Sequence, residues 1–351
     1  MKKEPAYLQL YKRMREAIVS GVYAYNGKLP SKRTMADESG VSIVTVAHAY
    51  ELLADEGYIE ARQRSGYFVI FRTDDGFASS PRPLYGGTHR AGTAEFPLSV
   101  LTRTMRSVMN DYGADILARS PNAGCAELRQ SIARYLARSR GITASPEQIV
   151  VGSGSEYLYG LIVGLLGREY IYGIEFPSYN KIEQVYHAAG VRLERLSLGQ
   201  DGIDGRVLQH TRAQVLHISP YRSFPTGVTA SASKRHEYLR WAKEGRYIVE
   251  DDFESEFSVS KKAEETLFSH ATHDNIIYMN TFSRTVSPSL RVGYMVLPKT
   301  MVKDFEEKLG FYSCTVPTYI QLVLARLIDN GDFERQINRV RRRKRKGLLQ
   351  K

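Results

Sequence analysis

Between Thr73 and Phe96 the chain loses its hydrophobic period and becomes rich in Gly, Ser, Pro and Thr. Unstructured stretches of that length are uncommon inside a compact domain, and the composition suits a flexible tether. The 351 residues are therefore expected to fold as two bodies, a head over residues 1–72 and a larger body over residues 97–351.

In the head, Leu8, Leu10, Tyr11, Met14, Ile18 and Val19 recur at helical spacing, and Gly21 closes that helix. Ser31 is a suitable N-cap for a short second helix that stops at Gly40. Ser42 caps a third, whose buried stripe is Val46, Ala49, Tyr50, Leu52 and Leu53, and Gly57 ends it. Tyr58 to Arg62 and Tyr67 to Ile70 read as two short strands around a turn at Gln63 to Gly66. Three helices followed by a β-wing form a winged helix-turn-helix. In such a unit the third helix lies in the major groove, with its N-terminal residues nearest the base edges.

The ordered run Leu29-Pro-Ser-x-Arg33, Gly40-Val-Ser-x-x-Thr-Val-x-x-Ala-Tyr-x-x-Leu53, Glu56-Gly-Tyr-Ile59 and Ser65-Gly-Tyr-Phe-Val69 resembles the GntR family of regulators. That resemblance implies roles by position. Ser31, Lys32 and Arg33 would hold phosphates, and Ser42, Thr45 and His48 would face the groove. Arg62, Arg64 and Gly66 would set the wing against the backbone or the minor groove. Phosphate contacts position a protein and base contacts specify sequence. Many members carry arginine straight after the helix-three serine. This chain has Ile43, which offers only apolar contact, for instance to a thymine methyl.

From residue 97 on, helical and strand-like segments alternate, which implies an α/β sheet covered by helices. Leu128, Ile132, Tyr135 and Leu136 form one helical face. Gln148 to Val151 is a strand before a Gly/Ser turn, and a helix follows from Glu156 to Leu166. Further strands are expected at 170–172, 191–196, 213–218, 247–250, 276–279 and 291–297.

The body's motifs resemble aminotransferases of the MocR type, the GntR subfamily that fuses a fold-type I, pyridoxal-phosphate-transferase-like domain to such a head. The carrying segments are Ser153-Gly154-Ser155, Phe176-Pro-Ser-Tyr179, Ser219-Pro220 through Phe224-Pro-Thr-Gly-Val228, Ile248 through Phe257, and Asn280-Thr-Phe-Ser283-Arg284-Thr-Val-Ser-Pro-Ser-Leu-Arg291-Val-Gly293. The resemblance implies that the Ser153, Gly154, Ser155 turn holds a phosphate with its backbone N–H groups. Tyr179 would lie near the cofactor, Asp251 would pair with the pyridine nitrogen, and Ser283 and Arg291 would hold the phosphate. Arg284 occupies the position of the cofactor lysine. Schiff-base chemistry needs a neutral amine, and a guanidinium stays protonated. Phe253 stands where a tyrosine hydroxyl is usual, Glu156 where an amide is usual, and Tyr221-Arg222 where Ser-His is usual. The resemblance also implies that the family's small subdomain is incomplete in these 351 residues. The basic run Arg341 to Lys346 matches a family helix, so it is read as a solvated helix face and not as a nucleic-acid tail.

A formal net charge of +11 favours an anionic partner such as nucleic acid. Two cysteines, Cys125 and Cys314, give no disulfide framework and suit a reducing compartment. No apolar run approaches membrane-spanning length, and Glu4-Pro5 follows Lys2-Lys3 where a signal core would begin. A cytoplasmic protein with no membrane and no metal site is expected; His270 and His273 read as surface histidines.

The leading expectation is a homodimeric regulator that binds double-stranded DNA. Its aminotransferase-like body would sense a small anionic or amino-acid-like effector and lack catalysis; pyridoxal phosphate would bind weakly and reversibly or not at all, without covalent attachment. The alternatives are a pyridoxal-phosphate enzyme using another amine, with Lys181, Lys261 and Lys262 as candidates, or a shortened remnant without function.

Overall fold

The computed structural model describes residues 5–63, 65–72, 96–243, 245–252, 254–258 and 265–349. Contacts divide the chain into two compact units, 1–90 and 91–351. Of the expected tether only Phe96 lies among the described residues, and it packs against the core of the second unit.

The first unit has three helices, α1 (Ala6–Val19), α2 (Lys32–Ser39) and α3 (Ile43–Asp55), then an antiparallel ribbon of β1 (Ile59–Arg62) and β2 (Gly66–Val69). The caps fall where side-chain chemistry puts them. Ser31 Oγ accepts from the Thr34 amide and Ser42 Oγ from the Thr45 amide, each at 3.1 Å. Each satisfies one of the amides that a helix start leaves without a partner. Gly40 ends α2 in the left-handed region at φ 65°, where a side chain would be strained. Leu10, Tyr11, Met14 and Ile18 of α1 share a core with Val46, Ala49, Tyr50 and Leu53 of α3, closed by Ile59 and Val69. Leu52, assigned above to the buried stripe, is only half-buried: it sits at the margin of that face.

The second unit runs α4 (Leu98–Tyr112), α5 (Ala126–Ser139), β3 (Ile149–Gly152), α6 (Ser155–Leu166), β4 (Ile171–Phe176), α7 (Asn180–Ala188), β5 (Arg192–Gly199), β6 (Gly202–Ile203) and α8 (Gly205–His210). It continues with β7 (Val215–Ile218), α9 (Ala232–Trp241), β8 (Tyr247–Asp251), α10 (Leu267–His270), β9 (Ile276–Thr281), β10 (Gly293–Val296), α11 (Met301–Leu309), α12 (Thr318–Asp329) and α13 (Asp332–Leu349).

Eight strands form one sheet in the order β3-β10-β9-β8-β7-β4-β5-β6. From β9 to β5 neighbours are parallel, while β10 runs antiparallel to both β3 and β9. Successive residues on a strand face opposite ways, and β9 shows this clearly. Ile276 and Tyr278 pack on the side covered by α4, α5, α9, α12 and α13; Ile277 and Met279 pack on the side of α6, α7 and α11. Helices on both faces explain why these strands read as continuous apolar runs.

The sheet also fixes where chemistry can gather. In open α/β sheets ligands bind beyond the carboxyl ends of the strands. Here β7, β8 and β9 end side by side. Because β10 is antiparallel, its N-terminal end reaches the same edge, with Gly293 opposite both Gly152 and Thr281.

Candidate nucleic-acid interface and ligand pocket

On the first unit, the N-terminal turn of α3 presents Ser42, Ile43 and Val44 to solvent, with Thr45 half-buried behind them. Arg33 is exposed on α2, and Lys32 lies beside it with its ammonium 5.2 Å from the centre of the Tyr67 ring. That contact ties the first turn of α2 to the wing. At the wing, Arg62 pairs with Glu60 at 2.6 Å, bonds Asn26 at 3.2 Å and covers the Phe68 ring at 4.5 Å. Gly66 sits opposite Arg62 at φ 107°. Arg64 lies outside the described residues. His48 stacks on Tyr7 of α1 at 4.4 Å, so its ring is positioned by packing while its edge stays exposed. Ser31, Lys32, Arg33, Ser42, Thr45, His48, Arg62 and Gly66 thus belong to one small fold whose third helix starts at an exposed polar cap.

On the second unit, a cavity of about 370 Å³ opens at the carboxyl edge of the sheet. Asp251, the last residue of β8, lines it as a buried carboxylate and accepts from the Tyr159 hydroxyl at 2.7 Å. His217 Nε2 approaches the same oxygen at 3.4 Å, while its Nδ1 meets the Tyr186 hydroxyl at 2.7 Å. This relay holds the Asp251 carboxylate in one orientation. Tyr179 and Phe224 flank the mouth, with ring centres 6.1 Å apart.

Arg291 stands before β10 in the left-handed region at φ 48° and reaches the first turn of α6. A Cβ on Gly154 would meet its guanidinium at 2.9 Å, so the absent side chain is what admits it. The α6 N-terminus has no side-chain cap, and its amides face this region. Ser155 and Ser283 line the cavity; Ser153 and Gly154 form the turn behind it. Glu156 bonds Arg291 at 3.0 Å and Lys181 at 2.5 Å. The Lys181 hydrogen bond and the positive charge of Arg291 hold its carboxyl below the usual range, against its partial burial.

Arg284 follows β9 and forms an ion pair with Glu254, which follows β8. Arg222, which follows β7, reaches the other oxygen of Glu254 at 3.1 Å. Glu254 is buried and itself left-handed, at φ 60°. Its neighbour Phe253 lies outside the described residues. Glu175 and Glu256 also line the cavity, and burial pushes each up to about 7.

Tyr221, unusual in sequence, has a structural use. Its ring lies 4.4 Å from the Arg140 guanidinium and its hydroxyl bonds Glu250, on the face of the sheet away from Asp251. Glu250 in turn accepts from the Leu267 and Phe268 amides at 2.8 Å each and so caps α10. The basic helix needs correction. Arg341 Nε donates to the Glu256 carbonyl at 2.6 Å, and Lys344 is half-buried with its ammonium 5.1 Å from the Phe257 ring, so those two cations are only partly solvated.

Among the described residues no three His, Cys, Asp or Glu side chains gather as metal ligands, and His270 pairs with Glu265 at 3.0 Å. Lys261 and Lys262 lie outside the described residues. No helix among them is long and apolar enough to cross a membrane. Sequence reading passed over Tyr159, His217, Glu175 and Glu254 as site residues. The acid-rich run Glu250-Asp-Asp-Phe-Glu-Ser-Glu256 after a strand was the available signal for Glu254.

Comparison with known proteins matches these two units to two families. Residues 6–69 match the bacterial regulatory proteins of the gntR family, and residues 96–350 match aminotransferase class I and II. The chain belongs to the gntR-type helix-turn-helix regulators that carry an aminotransferase class I and II domain. Among its relatives is the "Uncharacterized HTH-type transcriptional regulator YdeL" of Bacillus subtilis, 32% identical over 97% of this chain and 77% of that one. The "HTH-type pyridoxine biosynthesis transcriptional regulator PdxR" of Corynebacterium glutamicum is 26% identical over 97% of this chain and 77% of its own. The "Probable rhizopine catabolism regulatory protein MocR" of Rhizobium meliloti is 27% identical over 96% and 74%.

Solved structures of the same fold include the Pyrococcus horikoshii kynurenine aminotransferase, with TM-score 0.64 and 26% identity over 72% of this chain and 66% of that one. The Thermus thermophilus α-aminoadipate aminotransferase LysN, complexed with N-(5'-phosphopyridoxyl)-L-leucine, has TM-score 0.61 and 28% identity over 70% and 64%. The match spans just under two thirds of those two enzymes. The second unit therefore has the fold-type I architecture, and its relatives are HTH-type transcriptional regulators.

Proposed function

We propose that this protein is a cytoplasmic, homodimeric transcription regulator that binds duplex DNA through α3 and the wing. A small anionic or amino-acid-like ligand held non-covalently in the second unit would control it. The observation that carries the reading is Arg284. The family resemblance puts it where the cofactor lysine stands, and it lines the cavity paired with Glu254.

The residues present fit pyridoxal phosphate as a bound ligand. Asp251, fixed by Tyr159 and His217, would hold the pyridine nitrogen. The open α6 N-terminus with Ser155, Ser283 and Arg291 would hold the phosphate. Glu156 opposes that phosphate and weakens its binding, since it already shares Arg291. When bound, the group supplies an aldehyde that condenses with amines and a pyridine ring that serves as the electron sink. Arg284 cannot engage that aldehyde, because a guanidinium does not give up its proton. Lys181 is occupied by Glu156.

The test is a titration of purified full-length protein with pyridoxal phosphate. The expected result is weak, dialysable binding, no pyridoxyl-lysine after borohydride reduction, and no amino transfer to a keto acid. A defined lysine adduct together with turnover would show a working enzyme and overturn the reading.

A further inference from the structure

Arg222, Glu254 and Arg284 follow three strands that are neighbours in the sheet, β7, β8 and β9, all parallel. Their carboxyl ends therefore bring two guanidiniums to one carboxylate: Arg222 to Oε2 of Glu254 at 3.1 Å, Arg284 to Oε1. The carboxylate is buried, while the Arg222 and Arg284 side chains remain 53% and 45% exposed. Each guanidinium has five N–H donors, so one carboxylate cannot exhaust the pair. A third cation is close. Burial, reinforced by the positive charge of Arg222 and Arg284, holds Lys344 below its usual range against the pull of Glu254. Arg222, Arg284 and Glu254 form a group of two cations on one anion, lining a cavity that also contains Asp251 and Arg291.

We infer that Arg222 and Arg284, aligned by Glu254, form a second anion subsite in this cavity, one that takes the carboxylate of an amino-acid-like ligand whose other anionic end lies at Arg291. Glu254 offsets the repulsion between two like charges and fixes their forks. Its left-handed backbone is one that a residue with a side chain rarely adopts, and the two ion pairs hold it there. Planar bidentate recognition of a carboxylate is what a guanidinium does better than an ammonium. The subsite follows from positions where this chain carries arginine, and it rests on the reading of the cavity as a ligand pocket.

The test compares two probes on the full-length protein by calorimetry. N-(5'-phosphopyridoxyl)-L-leucine carries the carboxylate; the matching adduct of 3-methylbutylamine lacks it and is otherwise the same. The native protein should bind the leucine adduct about tenfold or more tightly than the amine adduct, the size of one charge-assisted hydrogen bond. Arg222→Gln should abolish most of that preference, with denaturant unfolding as the control that the variant is folded. Arg222→Lys should restore only part of it, since the charge returns without the fork.

Equal affinity of the two probes for the native protein would overturn the subsite while leaving the pocket standing. Unchanged preference in both Arg222→Gln and Arg284→Gln would also overturn it. If neither probe binds, the pocket reading fails together with the subsite. A cooperative unfolding transition in Arg222→Gln like that of the native protein shows that the variant is folded, so a lost preference reports the subsite.

Discussion

Arg140 reaches Asp252 at 2.9 Å, with both side chains almost wholly removed from water. The pair joins the end of α5 to the segment after β8, and the Tyr278 hydroxyl bonds the same Asp252 oxygen at 2.6 Å. Asp252 adjoins Asp251, so the ion pair anchors the strand end that brings both carboxylates to the pocket.

Breaking one side of that pair leaves a charge buried without its partner. Arg140→Met should therefore destabilise the second unit by roughly 3–5 kcal/mol, and Arg140→Met with Asp252→Asn should recover part of the loss. Denaturant unfolding measures both. A loss below about 1 kcal/mol would mean that the pair is dispensable.

Stability should fall as pH rises from about 5 to 8. Burial raises Glu175, Glu250 and Glu256 to about 7 in the folded chain, above the ordinary carboxyl value of 4.5. Between those values the folded state holds more protons than the unfolded one, so raising the pH favours unfolding. The cost is absent below about 4.5 and complete above about 7. Glu175→Gln should flatten the slope of melting temperature against pH by about a third, one of three comparable contributors. A slope identical to that of the native protein would refute this.

The DNA reading gives a salt experiment. Arg33→Ala should weaken binding to a duplex selected from a random library, and the slope of log K against log salt should fall by about one. Ser42→Ala should loosen the start of α3 by about 1 kcal/mol, seen as faster amide exchange at Thr45. Native binding that ignores salt would sink the proposed interface.

A homodimer is expected at micromolar concentration. Leu98, Leu117 and Phe311 are 74%, 85% and 72% exposed, more apolar side chain than a lone subunit gains from showing. Sedimentation that finds only a monomer would refute it, and Leu117→Glu is the variant expected to shift the equilibrium.

Much of this was legible because it is local. Ser31 and Ser42 announce helix starts through a bond only three residues long, and Gly40 announces a stop by its φ. The strands declare themselves as apolar runs because helices cover both faces. What could not be read depends on distant partners. Tyr221 looks like a lost site residue until Arg140 is seen beside its ring. Glu156 looks like a charge opposing a phosphate, yet its sharing between Arg291 and Lys181 needs three separate segments to converge. The two-residue strand β6 is too short to carry any period.

The helix α13 is charged along its length but not used evenly. Arg341 is bonded to the backbone of Glu256 and Lys344 rests over Phe257, while Arg342, Arg343, Arg345 and Lys346 are open to solvent. One side of the helix thus packs against the segment that follows β8, and the other is an exposed row of cations. Sliding it by a single turn, about 5.4 Å, would take Arg341 off the Glu256 carbonyl and Lys344 off the Phe257 ring. It would also move the outer row of cations, so this one helix links the segment carrying Glu256, which lines the cavity, to the charge that the second unit shows a polyanion.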